Sequence, residues 1–295
     1  MNKLPLHKRV QIIAMLVEGS SMRSISRVVG VSINTVTKLL VDAGNACLDY
    51  HDENVVGLKS KRIECDEIWS FCYAKQKNAE GAEMPDFAGD TWTWTSLDAD
   101  SKLICNWFVG GRDAEFANHF MLDLAARLDN RVQLTTDGHK AYLNAVDGAF
   151  GNEIDYAQLV KLYGSQPQGR TTRYSPAECT GIKKKVRSGT PDKAKVSTSY
   201  VERQNLTMRM SMRRFTRLTN GFSKKFENHC HALALYFVHC NFCRKHKTLG
   251  TTPAVAAGLT DTQHNIEWII AKIDERAPAP KKRGPYKKRA ASNSN

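Results

Sequence analysis

The stretch KRIECDEIWSF, residues Lys61–Phe71, places two adjacent acids inside a run of apolar and β-favouring side chains. Such a run predicts a largely buried β-strand. A carboxylate in that position is costly unless it is paired or bound to a metal, which makes Asp66 a candidate functional residue. The alternative is that Asp66 and Glu67 form a capped or solvent-facing pair.

After this strand, the sequence continues with further strand patterns and then alternates between helix and strand. The predicted strands are Asp90–Leu97, Leu103–Val109, Arg131–Thr136 and, as a strand or an extended segment, Ile154–Leu162. The predicted helices are Asp113–Leu128 and Gly138–Phe150. Because antiparallel strands come first and helix–strand alternation follows, we expect an α/β domain with a mixed sheet and helices on its faces.

Residues 1–46 have the pattern of a small all-α module. Three helices are predicted, at Leu6–Glu18, Met22–Val29 and Ile33–Asp42. The Gly-containing turn before the third helix is typical of a helix-turn-helix and predicts DNA binding, although an ordinary three-helix bundle without a ligand is the alternative. The side chains expected to meet base edges and phosphates are Ser32, Asn34, Thr35, Thr37 and Lys38. Residues 47–60 are predicted to be a linker.

The charge of the chain is unevenly distributed. There are 43 Lys and Arg residues against 30 Asp and Glu, a net charge of +13, which favours a polyanionic partner. Between Arg170 and Arg217, thirteen cations accompany only three acids, and one of those acids is Glu202. A solvated surface is the alternative for any such charged run. Residues 276–295 are predicted to be a disordered basic tail.

Composition excludes several classes of protein. A hydrophobic fraction of 41% and a charged fraction of 25% rule out a mostly disordered chain. No apolar run approaches the roughly 20 residues that cross a bilayer, so no membrane partner is expected. The start of the chain lacks the features of a signal peptide, and the scattered cysteines fit a reducing cytoplasm.

Two further acids occupy positions that suit a metal site. Asp137 ends a predicted strand, although Asp-Gly is also a common turn. Glu202 opens a predicted long helix, Thr198–Leu218, after a basic loop. Carboxylates from separate elements can converge on two divalent cations, and their hard oxygens suit Mg²⁺, for which Mn²⁺ would substitute. Such a two-metal site supports in-line displacement at phosphorus.

Four segments resemble, in the same order, parts of the insertion-sequence transposases of the IS-one type. They are CDEIWSFCYAKQK, TTDGHKAYLNAV, YVERQNLTMRMSMRRFTRLTNGFSKK and HKTLGTTPAVAAGL, which lie between residues 61 and 259. The resemblance implies a ribonuclease-H-like fold over residues 61–260 and a DDE triad formed by Asp66, Asp137 and Glu202. A basic insertion is expected at about residues 164–197, and a C-terminal helix at 261–275.

The activity that the resemblance implies is DNA transposition. The helix-turn-helix would bind the terminal inverted repeats of the element, and the triad would catalyse end cleavage and strand transfer into target DNA. Because two ends must be brought together, a homo-oligomer is expected in the DNA complex, in the cytoplasm of a prokaryote and associated with its nucleoid. The alternatives are a sequence-specific DNA-binding regulator and a non-mobile ribonuclease-H-like nuclease.

Side chains near the triad are candidates for contacts with DNA. Those that follow Glu202 are Arg203, Asn205, Arg209 and Arg213, and an arginine can bind phosphate through two hydrogen bonds. A solubilising helix surface is the alternative. After Asp137 come His139, which could orient the scissile phosphate, and Lys140. A structural or surface role for His139 is equally compatible with the sequence.

Two remaining motifs have weaker functional interpretations. Cys240 and Cys243 have histidines nearby and could bind zinc, but they fall in a predicted helix, Phe222–Lys245, where buried packing residues are favoured. In the tail, Lys282 and Arg283 belong to a stretch similar to a minor-groove-reading hook with an altered residue order. Generic electrostatic binding of DNA is therefore the favoured interpretation for them.

Overall fold

A computed structural model describes residues 3–81, 83–164, 179–216 and 220–277. At its centre is a six-stranded sheet. The strands are β1 (Arg62–Cys72), β2 (Gly89–Asp98), β3 (Ile104–Gly110), β4 (Val132–Asp137), β5 (Ile154–Tyr163) and β6 (Cys179–Ser188). The first five confirm the strands predicted from the sequence.

The order across the sheet is β3-β2-β1-β4-β5-β6. The pairs β1–β2, β2–β3 and β5–β6 are antiparallel, whereas β4 is parallel to both β1 and β5. The first five strands have the 3-2-1-4-5 order of ribonuclease-H-like folds, which confirms the predicted fold class. Because β1 lies in the middle of the sheet, the acids of its sequence are held where several elements meet.

Helices cover both faces of the sheet. They are α1 (Leu6–Val17), α2 (Met22–Val29), α3 (Ile33–Asn54), α4 (Gln76–Ala79), α5 (Ala114–Arg127), α6 (Ala141–Phe150), α7 (Ser199–Ser211), α8 (Phe226–Val238), α9 (Pro253–Ala256) and α10 (Ile266–Arg276). On one face, Phe120 of α5 and Tyr142 of α6 contact the buried Trp94 ring of β2. On the other face, α7 lies against β1 and β2. Within the described ranges, no helix combines the length and the hydropathy needed to span a bilayer.

The first three helices lie where the sequence predicted them, with a short turn between α2 and α3. Ser21 caps α2 by accepting a hydrogen bond from Ser24 N, and Ser32 caps α3 by accepting one from Thr35 N. Gly30 ends α2 in the left-handed conformation, with φ at 68°, which an L-residue adopts at a cost. The turn between α2 and α3 is therefore specified by its sequence.

The predicted linker at residues 47–60 is wrong over its first half, because α3 continues as a helix to Asn54. Gly44 does not break this helix. It is the point where α3 crosses α8, and a Cβ at Gly44 would lie 2.4 Å from the Cβ of His231. Near the end of α3, His51 contacts Arg127 of α5. The third helix of the helix-turn-helix thus extends directly into the body of the protein.

Two other predictions of secondary structure need correction. The helix predicted at Thr198–Leu218 ends at Ser211 and is followed by a 3-10 turn at Arg213–Phe215. The region predicted to be a basic insertion contains β6, whose lysines are exposed and whose backbone pairs with β5. A cation-rich edge strand has no alternating apolar pattern, so its sequence resembles that of a loop. The predicted C-terminal helix is present as α10.

The helix-turn-helix touches the end of α7. Gly19, in the turn between α1 and α2, has a φ of 77°, and a Cβ at this position would lie 2.7 Å from the backbone oxygen of Ser211. Both the backbone conformation and the close approach require glycine. The contact joins the predicted DNA-reading module to the helix that carries Glu202.

Candidate active site

Asp66 and Asp137 lie side by side at the centre of the sheet. β1 and β4 are parallel, and their last paired residues are Cys65 and Thr136, so the next residue of each strand is one of the predicted acids. At the end of β4, Asp137 Oδ1 accepts a hydrogen bond from His139 N at 2.9 Å. Strand pairing therefore brings the first two acids of the predicted triad together.

Glu67 is a third carboxylate at this place, and the sequence did not identify it as a ligand. One carboxylate oxygen from each of Asp66, Glu67 and Asp137 lies within 4.8 Å of the other two. Burial raises the pKa of Asp66 to about 6 and that of Glu67 to about 8, and the charge of Asp137 adds to both shifts. Glu67 Oε1 is buried and makes no hydrogen bond of good geometry within the described residues, although the Tyr142 hydroxyl is near enough to lower the pKa of Glu67 slightly. A bound cation would offset the electrostatic repulsion among the three carboxylates.

Glu202, the third predicted acid, lies in the first turn of α7 and lines the same cleft as the other two. Its Oε1 accepts hydrogen bonds from Lys161 Nζ at 2.6 Å and from Thr198 Oγ1 at 2.5 Å. It lies outside the 4.8 Å group of carboxylates. Glu202 thus lies near Asp66 and Asp137, but its carboxylate forms an ion pair with Lys161 of β5.

Glu64 fixes the helix that carries Glu202. It lies two residues before Asp66 on β1 and therefore on the same face of the sheet. Its buried Oε2 accepts hydrogen bonds from the backbone nitrogens of Tyr200 at 2.8 Å and Val201 at 3.1 Å. A carboxylate at a helix N-terminus also interacts favourably with the helix dipole. One strand thus supplies both the first acid and the anchor for the third.

The acids line a cleft of about 720 Å³. Asn205 of α7 is buried and donates a hydrogen bond from Nδ2 to Asp66 Oδ2 at 2.8 Å. Its amide therefore orients an acid, whereas the sequence predicted that it would contact DNA. Arg209, four residues further along the helix, lines the cleft as predicted for a residue on the same face.

Arg112 is a cation of the cleft that the sequence analysis did not identify. Its guanidinium carbon lies 4.5 Å from the centroid of the Trp92 ring. Its Nη2 lies 3.6 Å from Glu67 Oε2 and 3.8 Å from Asp137 Oδ2. The side chain remains 38% exposed, so it can also meet a substrate anion. No local pattern marks Arg112, because its role depends on side chains from three other segments.

His139 lines the cleft, with its ring stacked on Trp94 and in edge contact with Tyr142. Its Nε2 is buried and lacks a hydrogen-bond partner within the described part of the chain. Burial, and then the positive charge of Arg112, lowers the pKa of His139. A neutral ring is therefore favoured. Lys140 lies at the start of α6, is exposed and does not line the cleft.

Other residues predicted to bind DNA lie elsewhere. Arg203 is exposed on α7 and does not line the cleft. Arg213 lines a second cleft, which lies between the N-terminal helices and α8. Lys282 and Arg283 lie outside the described residues.

The predicted major-groove face is on the first turns of α3. Asn34 is exposed there. Ser32 Oγ contacts Thr35 Oγ1 at 2.8 Å, and Thr37 Oγ1 donates to a backbone carbonyl of the same helix at 3.0 Å. Lys38 Nζ pairs with an acid one turn further along at 2.7 Å, an exposed pair that a phosphate could replace at small cost.

Cys240 and Cys243 lie on a π-helical turn, His239–Cys243, that follows α8. Both side chains are buried. Burial raises the pKa of Cys240 to about 11 and that of Cys243 to about 12, which favours the thiol over the thiolate that zinc requires. Their environment suits packing.

No family model matches this chain, and no curated protein matches it. Among solved structures, the chain is similar to the Mos1 transposase paired-end complex with left transposon end, with 14% identity and a TM-score of 0.21 over 50% of this chain and 58% of that one. It is also similar to the Mos1 strand transfer complex, with 12% identity and a TM-score of 0.24 over 80% and 78% of the two chains. A third similar structure is the Mos1 mariner paired end complex with Mn, with 13% identity and a TM-score of 0.22 over 80% and 79%. In the first match, this chain spans less than two thirds of the other protein. Likeness at these levels carries no argument about function.

Proposed function

We propose that this protein is a DNA transposase that binds the ends of a mobile element, cleaves them and joins them to target DNA. The observation that carries the proposal is the single cleft lined by Asp66, Asp137 and Glu202, three acids from separate elements. The cleft is also lined by three cations, Arg112, Lys161 and Arg209. Acids beside cations suit a substrate whose phosphates must be held next to a metal site.

The carboxylates have the chemistry that divalent cations require. Asp66, Glu67 and Asp137 offer hard oxygen donors close together, and one buried oxygen of Glu67 makes no hydrogen bond of good geometry among the described residues. We expect Asp66, Asp137 and Glu202 to hold two Mg²⁺ ions, or Mn²⁺ in their place, with Glu67 as an additional donor. When bound, such ions stabilise charge on the phosphate and lower the pKa of an attacking water or hydroxyl.

The protein's own side chains would position the substrate. Arg112 and Arg209 would bind phosphate oxygens, because a guanidinium makes paired hydrogen bonds to them. Asn205 holds Asp66 in one orientation. Lys161 would have to release Glu202 before that carboxylate joins the other acids, and a phosphate in the cleft would give its ammonium a new partner.

Substitution of the three acids tests the proposal. Asp66→Asn, Asp137→Asn and Glu202→Gln should each abolish Mg²⁺-dependent nicking of supercoiled DNA, while binding to duplex DNA is retained. Asp147→Asn removes an exposed acid of α6 away from the cleft and is the matched control. Wild-type nicking by any of the three cleft variants would contradict the assignment.

Two further results separate transposition from the alternatives. A nuclease with the same site would cleave DNA but would not join pre-cut element ends to a target in a strand-transfer assay. A regulator would bind DNA without metal-stimulated nicking. Inverted repeats that flank the coding region would supply the end sequences for these assays.

A further inference from the structure

A second cleft, of about 720 Å³, lies between the N-terminal helices and α8. Its described lining contains four cations and no acid; the cations are Arg23, Arg213, Arg214 and Lys224. Surface cations usually alternate with acids, whereas a concave surface of one sign concentrates ions of the opposite sign. The lining therefore favours an anionic occupant.

Arg214 is the most enclosed of these cations. Its Nε donates a hydrogen bond to Ser223 Oγ at 2.6 Å. Burial lowers the pKa of Arg214 to about 10, with no carboxylate from the described residues acting on it, so the group stays charged at neutral pH. An enclosed charge without a counter-charge costs free energy. An anion bound in the cleft would offset that cost.

A chain of hydrogen bonds behind Arg214 fixes its position. Ser223 Oγ contacts His229 Nδ1 at 3.3 Å, and His229 Nε2 contacts Ser70 Oγ at 3.4 Å. The chain ends where Ser70 Oγ donates to the backbone oxygen of Thr91 at 3.0 Å.

The direction of these hydrogen bonds follows from their two ends. A guanidinium can only donate, and a backbone oxygen can only accept. Ser70 must therefore accept from His229 Nε2–H. Burial, and then the charge of Arg214, lowers the pKa of His229 to about 3, so the ring is neutral and its Nδ1 accepts from the Ser223 hydroxyl. Ser223 is left to accept from Arg214, whose terminal nitrogens donate to no group among the described residues and can meet an occupant of the cleft.

We propose that Arg214 and this cleft bind a phosphate of the DNA backbone beside the helix-turn-helix. The identity of the polyanion rests on the proposed function. The first residue of α3, Ile33, and the start of α2, from Ser21 to Arg23, line the same cleft. The N-termini of helices favour phosphate. DNA whose major groove meets α3 would therefore carry its backbone past Arg214.

Binding of the full chain to a labelled mixed-sequence duplex, without divalent metal and over a series of KCl concentrations, tests this site. Arg214→Met keeps a long side chain and removes the charge. We expect about tenfold weaker binding or more, and a salt dependence of log K that is less steep by about 0.9. Lys59→Met removes an exposed cation beside Asp129 and is the charge-matched control, with both quantities expected to stay close to wild type.

The melting temperature distinguishes a phosphate site from a structural role. A cation without a counter-charge predicts that the DNA-free Arg214→Met protein melts close to the wild-type temperature, because relief of the buried charge offsets the lost hydrogen bond to Ser223. A lower Tm together with unchanged DNA affinity would overturn the proposal. If Arg214→Met does not fold, Arg214→Lys decides, since weaker DNA binding by this variant supports the site and unchanged binding overturns it.

The same measurements separate this inference from the proposed function. A wild-type protein that does not bind duplex DNA contradicts the proposed function, and the assignment to DNA with it. Wild-type binding that Arg214→Met retains overturns only the phosphate site. Inorganic phosphate that raises the wild-type Tm as much as duplex DNA at equal phosphate concentration would identify a small-anion site and overturn the assignment to DNA.

Discussion

The ammonium of Lys161 lies 2.6 Å from Glu202 Oε1, so a cation of β5 engages the carboxylate that is predicted to bind metal. The two side chains are 33% and 37% exposed. An ion pair with this exposure contributes at most about 1 kcal/mol. Glu202 can therefore exchange Lys161 for a divalent ion at small cost.

Lys161→Met should release Glu202 and tighten the binding of a divalent ion to the DNA-free protein. A gain of up to about fivefold corresponds to the loss of a competing interaction of about 1 kcal/mol. Titration with Mn²⁺, followed by electron paramagnetic resonance, measures the change. Adding Glu202→Gln to this variant should remove the gain. Weaker binding by Lys161→Met would contradict competition between the ammonium and the ion.

Glu64→Ala should destabilise the protein by about 1–3 kcal/mol, because the backbone nitrogens of Tyr200 and Val201 lose their acceptor. Glu64→Gln keeps a carbonyl oxygen as an acceptor and should lose less stability than Glu64→Ala, because burial raises the pKa of Glu64 and its charge therefore gives the folded state no net advantage. Urea unfolding measures both values. Met210→Ala changes an exposed residue of the same helix and should have little effect. Equal losses for the two Glu64 variants would contradict the capping role.

Glu67 should make the metal-free protein less stable as the pH rises. Its pKa is raised from 4.5 to about 8, so between these values the folded state binds more protons than the unfolded state. The free energy of unfolding then falls with increasing pH, by up to about 1.4 kcal/mol per pH unit.

Glu67→Gln cannot titrate and should remove this part of the pH dependence, while Asp66 continues to contribute in the same direction. Urea unfolding across that pH window, without divalent metal, provides the measurement. Addition of Mg²⁺ should flatten the wild-type dependence, because a bound cation favours the charged carboxylate. If the free energy of unfolding of Glu67→Gln falls with pH as steeply as that of the wild type, the result contradicts the raised pKa of Glu67.

Gly44→Ala should destabilise the protein by about 1–3 kcal/mol, since the new methyl group would overlap His231 at the crossing of α3 and α8. The gain in helix propensity, about 1 kcal/mol, opposes this effect. Gly148→Ala is the matched control. It also lies inside a helix, nothing lies within 4 Å of its new Cβ, and it should stabilise the protein by about 0.5–1 kcal/mol. Thermal melting of the two variants should give shifts of opposite sign.

Much of the sheet could be predicted because its inner strands carry local signals. The apolar run around Asp66 indicated a buried strand, and Asp137 was recognised as the end of another. β6 could not be predicted, since its exposed lysines lack an alternating pattern and only pairing with β5 makes it a strand. The third helix was predicted to end at Asp42, whereas it continues past Gly44 to Asn54, because sequence does not reveal that another helix crosses it at that glycine.

The site was predicted less completely than the fold. Adjacent residues of a strand project to opposite faces, so Asp66 gives no reason to expect Glu67 in the same cluster. The pairing of β1 with β4 stops at Cys65 and Thr136, immediately before Asp66 and Asp137. The carboxylates of Asp66 and Glu67 can both approach Asp137 at this point. Arg112 and Lys161 lie on other segments, and their contacts with the acids exist only in the folded chain.

The approach of Gly19 to Ser211 gives the protein a fixed internal length. From Ser211 back to Glu202 is about 14 Å along α7, at 1.5 Å per residue, and a helix of this size does not stretch. In a transposase, that length would set the distance between the base pairs that are recognised and the phosphodiester bond that is cleaved. The position of the cut would then be set by the polypeptide, and one residue added to α7 would move it.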